Sequence, residues 1–487
     1  MLFNSFEFLI FFPVVTVLFF LLPHRYRWLH LLTASCIFYM YFIPVYILIL
    51  FGTIVIDYFA GIYLEDTLDP KRKRFYLLWS LVANIGVLAV FKYYNFFLDN
   101  INEAALVLFD KPTALRFLGI ALPIGLSFHT FQAMSYTFEV YYGRQKAERH
   151  FGIYALYVMF YPQLVAGPIE RPQNILHQFH EKKYFDYDRF ASGMGLMVWG
   201  LFKKVVIADN FAGLVNLAYS DPENKSGLTL LLASYFFALQ IYCDFSGYSD
   251  MAIGAARVMG YDLMENFRTP YVAGSIKEFW SRWHISLSTW FRDYLYIPLG
   301  GNRVSKQRWM FNLFIVFLIS GIWHGANWTY VIWGALHGIY LMIAILKDDF
   351  FAKNLLPARL EKSKILNAWN VLLTFHLATF AWIFFRAEST GDAFTIIKNI
   401  GNLSMNGDTF KDSIFFFADN PKNFGRIIFL IALGIAFLAL DPIMDKVAKR
   451  RTLLPHSFLR YGLYATIVAC IVLIGYFGEV SFIYFQF

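Results

Sequence analysis

Apolar residues run through this 487-residue chain in long stretches, and its charged residues gather in short clusters between them. The first apolar run, 6–22, holds Pro13 in its middle and lacks a basic leader and a small-residue cleavage site, so a retained transmembrane helix is expected, not a signal peptide. HRYR follows at 24–27, and the next run, 28–64, is too long for one span and is broken at Pro44. That break predicts a helical hairpin, closed by KRKR at 71–74. The run 75–98 predicts another crossing, followed by an acidic turn at 99–112 with Asp99, Glu103 and Asp110. In 115–142, Pro123 and Gly125 interrupt ALPIGLSFHTFQ, so a broken or re-entrant helix facing a protein-lined cavity is expected there. From 154 to 189 the pattern weakens: YPQLVAGPIERP has three prolines, HQFHEKKYFDYDRF is polar and interfacial, and no crossing is assigned. Single spans return at about 366–385, 424–440 and 458–478.

Charge turns these spans into a topology. On this count HRYR, KRKR, GRQKAERH at 143–150, the turn 303–308, the loop 347–364 and DKVAKRR at 445–451 share one side. The positive-inside rule makes that side cytoplasmic, which places both termini and the polar segment 388–423 outside. With 58% hydrophobic, 20% aromatic and only 16% charged residues, the chain is no ordinary soluble globule. The formal charge of +8 sits in the turns, where it sets orientation, so nucleic acid is not the expected partner and the lipid bilayer is. Cys36, Cys243 and Cys470 have neither disulfide nor zinc spacing. The expected architecture is an all-α polytopic membrane protein of about ten to twelve transmembrane and re-entrant helical segments. It forms one membrane domain over 1–487, with N-terminal helices to 270, a motif-bearing core at 271–346 and C-terminal helices from 347.

That core breaks the apolar pattern with polar groups a bilayer would penalise. KEFWSRWHISLSTWFRDYLYIPLGG, read as one helix, puts Phe279, Trp283, Leu287 and Trp290 on an apolar stripe and Trp280, His284 and Ser288 on the next face. Lys277, Arg282 and Arg292, the last beside Asp293, then point to cytoplasmic headgroups or an anionic ligand. For His284, a ligand or catalytic role and a packing role weigh equally. The apolar run 310–323 rises only about 21 Å as a helix, short of the roughly 30 Å hydrocarbon core, so His324 falls inside the slab. Gly325, Ala326 and Asn327 follow it as a small-residue break. An ionisable residue at that depth is a functional candidate, against a structural histidine bonded to a neighbouring carbonyl. Asp244 and Asp250, in YCDFSGYSDMAIGAARVMG, need buried partners, and Arg257 or Arg282 is expected to supply them as structural salt bridges. His129, His337 and His376 read as core residues. No P-loop, dinucleotide glycine pattern, metal-ligand spacing or G-x-S-x-G elbow occurs.

Five motifs together carry a resemblance: WSRWHISLSTWFRDYLYIPLGGNR, GIWHGANWTYVIWGALHG, VAGPIERP, DFSGYSDMAIG and NFRTPY. They resemble the membrane-bound O-acyltransferase family, in its bacterial polysaccharide O-acetylation branch, over nearly the whole chain. The neighbouring D-alanylation branch shares both histidine motifs but takes its acyl group from a carrier-protein thioester. The resemblance implies a ring of helices around a tunnel, with His324 matching the invariant histidine and His284 the second one. It further implies acetyl-CoA as donor substrate with no bound cofactor or metal, a polysaccharide as final acceptor, a periplasmic O-acetyltransferase as partner, and the bacterial cytoplasmic (inner) membrane as location. On that reading His324 is the general base, for which a pKa near 7 suits. Asn327, the Trp323 indole or backbone donors at Gly325 would stabilise the oxyanion, while Arg282, Trp283, Arg292, Asp293 and Asp244 are candidates for substrate binding. The tail SFIYFQF resembles an aromatic C-terminal motif that presents a tyrosine as transient acyl carrier, which assigns Tyr484. A phenol with a pKa near 10 is far easier to deprotonate than an aliphatic alcohol. An interfacial aromatic anchor is the plainer reading of the tail. A transporter without acyl-transfer chemistry is the rival class, because intramembrane histidines and broken helices also mark substrate pathways. The motif set and the absence of obvious inverted repeats weigh against it.

Overall fold

The computed structural model describes residues 1–113, 115–119, 122–353, 363–402, 407–418, 424–449, 457–478 and 482–483. All regular elements among the described residues are helical. Helices satisfy their backbone polar groups within one segment, which a lipid-embedded chain requires.

Helix α1 (Phe6–Leu21) starts where the Ser5 hydroxyl accepts the Phe8 N–H, and it carries Pro13 inside. Helix α2 (His24–Met40) and α3 (Ile47–Asp66) form the two arms broken at Pro44, which opens a single 3-10 turn over Pro44–Tyr46. Helix α4 (Pro70–Leu88) runs through a π turn, Ala89–Tyr93, into α5 (Tyr94–Phe109). The acidic turn expected at 99–112 is therefore helical as far as Phe109. Polarity alone does not stop a helix, and no Gly or Pro occurs before Pro112. The break at Pro123 and Gly125 is present: α6 (Leu126–Tyr141) begins only after Gly125, whose φ is 76°. Helices α7 (Phe151–Met159) and α8 (Pro172–His180) are short.

Helix α9 (Tyr187–Phe202) passes through a second π turn, Lys203–Ala208, into α10 (Asp209–Tyr219), and α11 (Gly227–Met259) follows. Then come α12 (Ile276–Arg282), α13 (Ile285–Phe291), α14 (Lys306–His324), α15 (Trp328–Lys353) and α16 (Lys364–Arg386). The remaining helices are α17 (Thr390–Gly401), α18 (Gly407–Ala418), α19 (Phe424–Lys449) and α20 (Ser457–Ile474). Among the described residues, seven helical stretches are long and apolar enough to cross a membrane, and Phe6–Leu21 and Tyr461–Ile474 are shorter apolar helices. One of the seven is Tyr187–Tyr219, which begins at the end of the stretch 154–189 where the sequence pattern assigned no crossing. The chain is an all-α polytopic membrane protein.

Two compact units are present, Met1–Met194 with Ala252–Met264, and Gly195–Met251 with Glu265–Phe487. In the first, a fully buried carboxylate ties three helices together. Asp57 on α3 accepts from Ser80 Oγ at 2.5 Å and from Asn84 Nδ2 at 3.0 and 2.9 Å, and Ser80 reaches Thr137 of α6 at 3.0 Å. In the second unit, α14 and α15 form a hairpin whose backbones meet at glycines. A Cβ on Gly321 would overlap the Tyr330 carbonyl oxygen, and one on Gly334 would overlap the Phe317 carbonyl oxygen. Gly334→Leu is therefore expected to force the hairpin apart at a cost of about 1–3 kcal/mol. The check is a lowered melting temperature in detergent, which Gly213→Leu, at a position with open space around it, should not reproduce.

Candidate active site

The segment expected as one helix is two short ones. Between α12 and α13 the chain turns at Trp283, which is extended, and at His284, which sits in the left-handed region with φ 43° and ψ 54°. Nothing local demands this turn. It is held from outside by the NFRTPY segment: Ile285 N–H donates to the Asn266 carbonyl, and Arg268 N–H donates to the Arg282 carbonyl, both at 2.9 Å. The consequence corrects the sequence reading, since Trp280, His284 and Ser288 do not share a face. His284 points between Phe245 and Phe267, with ring centroids 4.6 and 6.3 Å away, whereas Trp280 points to His337.

The Asn266 side chain fixes the protonation of His284. Its Oδ1 accepts from the Ser286 N–H at 3.2 Å, from Ser286 Oγ at 2.8 Å and from His284 Nδ1 at 3.1 Å. An oxygen that accepts from a backbone N–H accepts from the imidazole too, so Nδ1 carries the hydrogen and Nε2 is the basic nitrogen. Complete burial pushes the imidazole pKa down to about 3, so the ring is neutral.

His324 is the last residue of α14, with extended Gly325 as its cap. That helix begins at Lys306, four residues before the apolar run, so its 19 residues rise about 28 Å and His324 stands at the far end from its basic start. The imidazole is buried against Trp323, Trp333 and Phe385, at ring-centroid distances of 4.9, 4.9 and 5.3 Å. Trp333 also lies 5.0 Å from His337, whose Nδ1 accepts the Trp280 indole N–H at 3.2 Å. His324, Trp333, His337 and Trp280 thus form a continuous ladder of rings across α14, α15 and α12. Because His337 Nδ1 accepts, its hydrogen is on Nε2.

Trp280 is also the wall of a cavity of about 700 Å³. Three cations line it, Lys277, Arg292 and Lys347, together with Phe317 and Ser320. Ser320 precedes His324 by one helical turn, so the cavity's lining extends to within about 6 Å along the helix axis of the histidine. Arg292 pairs with Asp293 at 2.8 Å. Among the residues whose side chains are described, no carboxylate pairs with Lys277. His284 does not line the cavity, although Ile285, Leu287 and Ser288 do.

Other candidates separate from this centre. Arg282 is spent on Glu278 at 2.6 Å. Trp283 is packed, with Phe279 stacked at 5.5 Å and Trp382 at 4.9 Å. Asn327 caps α15, accepting the Thr329 N–H and donating to the Glu388 carbonyl, each at 3.0 Å. Tyr484 lies outside the described residues.

Asp244 and Asp250 are ion-paired, but not to arginine. Lys204 Nζ reaches Asp244 at 2.9 Å and Asp209 at 2.7 Å, while Lys203 Nζ reaches Asp250 at 2.9 Å and Asp441 at 4.0 Å. Arg282 is paired as above, and Arg257 is bonded to Ser192 at 3.0 Å. The cause is the π turn Lys203–Ala208, in which all six residues are buried, so two adjacent lysines both point inward. Asn266, inside the quoted NFRTPY motif, carries no signal of its role in the sequence, whereas His337 is the buried, hydrogen-bonded residue expected of it.

Comparison with known proteins bears on this arrangement. The model of the membrane-bound O-acyltransferase family matches residues 144–387, a span that contains both histidines, the cavity lining and the paired lysines. A probable alginate O-acetylase of Pseudomonas aeruginosa is 40% identical over 391 residues, covering 80% of this chain and 72% of that protein. A peptidoglycan O-acetyltransferase of Helicobacter pylori is 38% identical over 405 residues, covering 78% of this chain and 74% of its own length. A teichoic acid D-alanyltransferase of Bacillus subtilis is more distant, at 29% over 280 residues, or 54% of this chain and 69% of that one. By the family match and by relatives aligned along most of both chains, this protein belongs to the membrane-bound O-acyltransferase family.

Proposed function

We propose that the protein takes an acetyl group from cytoplasmic acetyl-CoA and passes it across the inner membrane toward the O-acetylation of an extracytoplasmic polysaccharide. The observation that carries this reading is the cavity: it has cations for phosphates in Lys277, Arg292 and Lys347, an apolar wall, and a lining that reaches the helical turn before His324. An acyl-CoA has that shape, with an anionic head, a slender arm and a reactive thioester at its tip. The relatives named for O-acetylation align along more of the chain than the one named for D-alanylation, which favours acetyl over D-alanyl transfer.

In the transfer, the tyrosine hydroxyl of residue 484 would attack the thioester carbonyl carbon. Its proton goes to His324, the C–S bond breaks, and the proton is returned to the departing thiolate, so a free thiol and an aryl ester result. The ladder of Trp333 and His337 holds the His324 ring in orientation. His284 serves by holding the break between α12 and α13, which shapes one wall of the donor cavity. An aryl ester remains activated, and a periplasmic O-acetyltransferase would accept the acetyl group from it on the outer face, where the proposed topology places both termini.

The test is peptide mass spectrometry of the purified protein after incubation with isotope-labelled acetyl-CoA. One labelled acetyl group is expected on the C-terminal peptide of wild type, with none on Tyr484→Phe. A carrier-bound D-alanyl thioester should label neither. Labelling by the carrier thioester alone would move the protein to the D-alanylation branch, and label that persists in Tyr484→Phe would remove the tyrosine carrier.

A further inference from the structure

We propose that Asp244 is a positioning residue for the chain's own C-terminal segment: its buried carboxylate clasps the backbone at Ile483 and thereby sets the register of the residue that follows. The consequence for catalysis rests on the carrier reading of Tyr484 given above, but the clasp itself does not.

The Ile483 N–H donates to Asp244 Oδ2 at 2.7 Å, a contact between residues 239 apart in sequence. Phe482 and Ile483 are each only 1% exposed. The Phe482 ring lies 4.9 Å from Tyr248 and 6.0 Å from Phe245, and Phe245 in turn packs on His284 at 4.6 Å. Asp244, Phe245 and Tyr248 are spaced so that α11 presents them along one side, which makes an apolar slot with a single charged end. Further back, the chain end is held against the second π turn: Tyr476 N–H donates to the Val205 carbonyl at 2.9 Å, and Asn210 Nδ2 donates to the Ile474 carbonyl at 3.1 Å.

The two oxygens of Asp244 are divided between two tasks. Oδ1 faces Lys204, and Oδ2 takes the tail. A carboxylate buried in a membrane protein is costly unless paired, and Lys204 supplies that pairing. The tail could have been held by Phe482 alone, since an aromatic plug needs no charge. What a carboxylate adds is a strong, directional bond to one particular backbone N–H. Such a bond specifies register, because a slip of one residue would bring a different N–H to the carboxylate and withdraw Phe482 from its slot. Tyr484 is bonded directly to the clasped residue.

The experiment has two arms on the full-length protein in detergent. In the first, Ile483→Cys reports seating through peptide-resolved alkylation by a small maleimide, which keeps the native cysteines out of the reading. Slow alkylation is expected for Ile483→Cys and for Ile483→Cys with Asp244→Asn, which retains an acceptor oxygen. At least tenfold faster alkylation is expected for Ile483→Cys with Asp244→Ala. In the second arm, Ile483→Pro removes the N–H while sparing the Asp244–Lys204 pair. The rate constant for label appearing on Tyr484 should fall at least tenfold with the KM for acetyl-CoA unchanged, a split that general unfolding would not give. Equal protection with and without the carboxyl group, or wild-type transfer by Ile483→Pro, overturns the proposal. If wild type takes no label on Tyr484, the carrier reading fails, and the alkylation arm alone decides the clasp.

Discussion

Replacing His324 with alanine is expected to lower acetyl transfer by roughly 10²- to 10⁴-fold, the range usually lost with a positioned general base. Free-thiol release from acetyl-CoA and label on the protein should fall together, because both require the same proton to be removed. The imidazole is packed between Trp333 and Phe385, so truncation also opens a small void in the ring ladder. His324→Gln separates the two effects, since it fills much of the volume without supplying a base of suitable pKa. Both variants should be inactive, and the glutamine variant should melt closer to wild type. Transfer by either within tenfold of wild type would sink the general-base assignment.

The largest effect on stability is expected from Lys204→Met. Lys204 is buried and is the ion-pair partner of both Asp209 and Asp244. Its removal leaves two buried carboxylates without their cation, and breaking a buried pair from one side costs about 3–5 kcal/mol. Thermal unfolding in detergent should show this directly, and the yield of monodisperse protein should fall with it. Removing the charges from both sides is a different matter. A triple variant, Lys204→Met with Asp209→Asn and Asp244→Asn, should recover part of the loss, because neutral replacement of a whole buried ion cluster is often close to thermoneutral. If Lys204→Met alone lies within about 1 kcal/mol of wild type, the cluster is not what holds the π turn to α11.

The membrane spans were legible because the bilayer allows so few backbone solutions: a long apolar run must be a helix, and Pro44 or the Pro123–Gly125 pair must interrupt one. The end of a helix at His324, before Gly-Ala-Asn, was legible too, although that helix starts at Lys306 and is longer than the apolar run itself. The α12–α13 break was not. Trp283 and His284 carry no local breaking signal, and the turn exists because Asn266 and Arg268, some 18 and 14 residues upstream, bond across it. Periodicity cannot show a bond from another segment. The partners of Asp244 and Asp250 were misjudged for a related reason. Adjacent lysines on an ordinary α-helix diverge by roughly 100°, so nothing in the local pattern singles out Lys203 and Lys204 as a pair of inward-facing partners, which the π turn makes them. The acidic residues between Asp99 and Asp110 were read as a turn, although charge without Gly or Pro leaves a helix free to continue.

The π turn Lys203–Ala208 bears on which sequence changes the protein can accept. A π turn amounts to one extra residue inserted into a helix. Losing one residue would close the bulge into regular α geometry and leave α10 in register with α9, but adjacent side chains would then diverge by roughly 100°, so Lys203 and Lys204 could not both face inward. One of the two pairs, Lys203 with Asp250 or Lys204 with Asp209, would then be lost. Val205, Val206 and Ile207 can be exchanged for residues of similar size, but neither the two lysines nor the segment's length can change without loss of a buried pair. Deletion scanning should find the stretch rigid in length, while point substitution should find it permissive only beyond its two lysines.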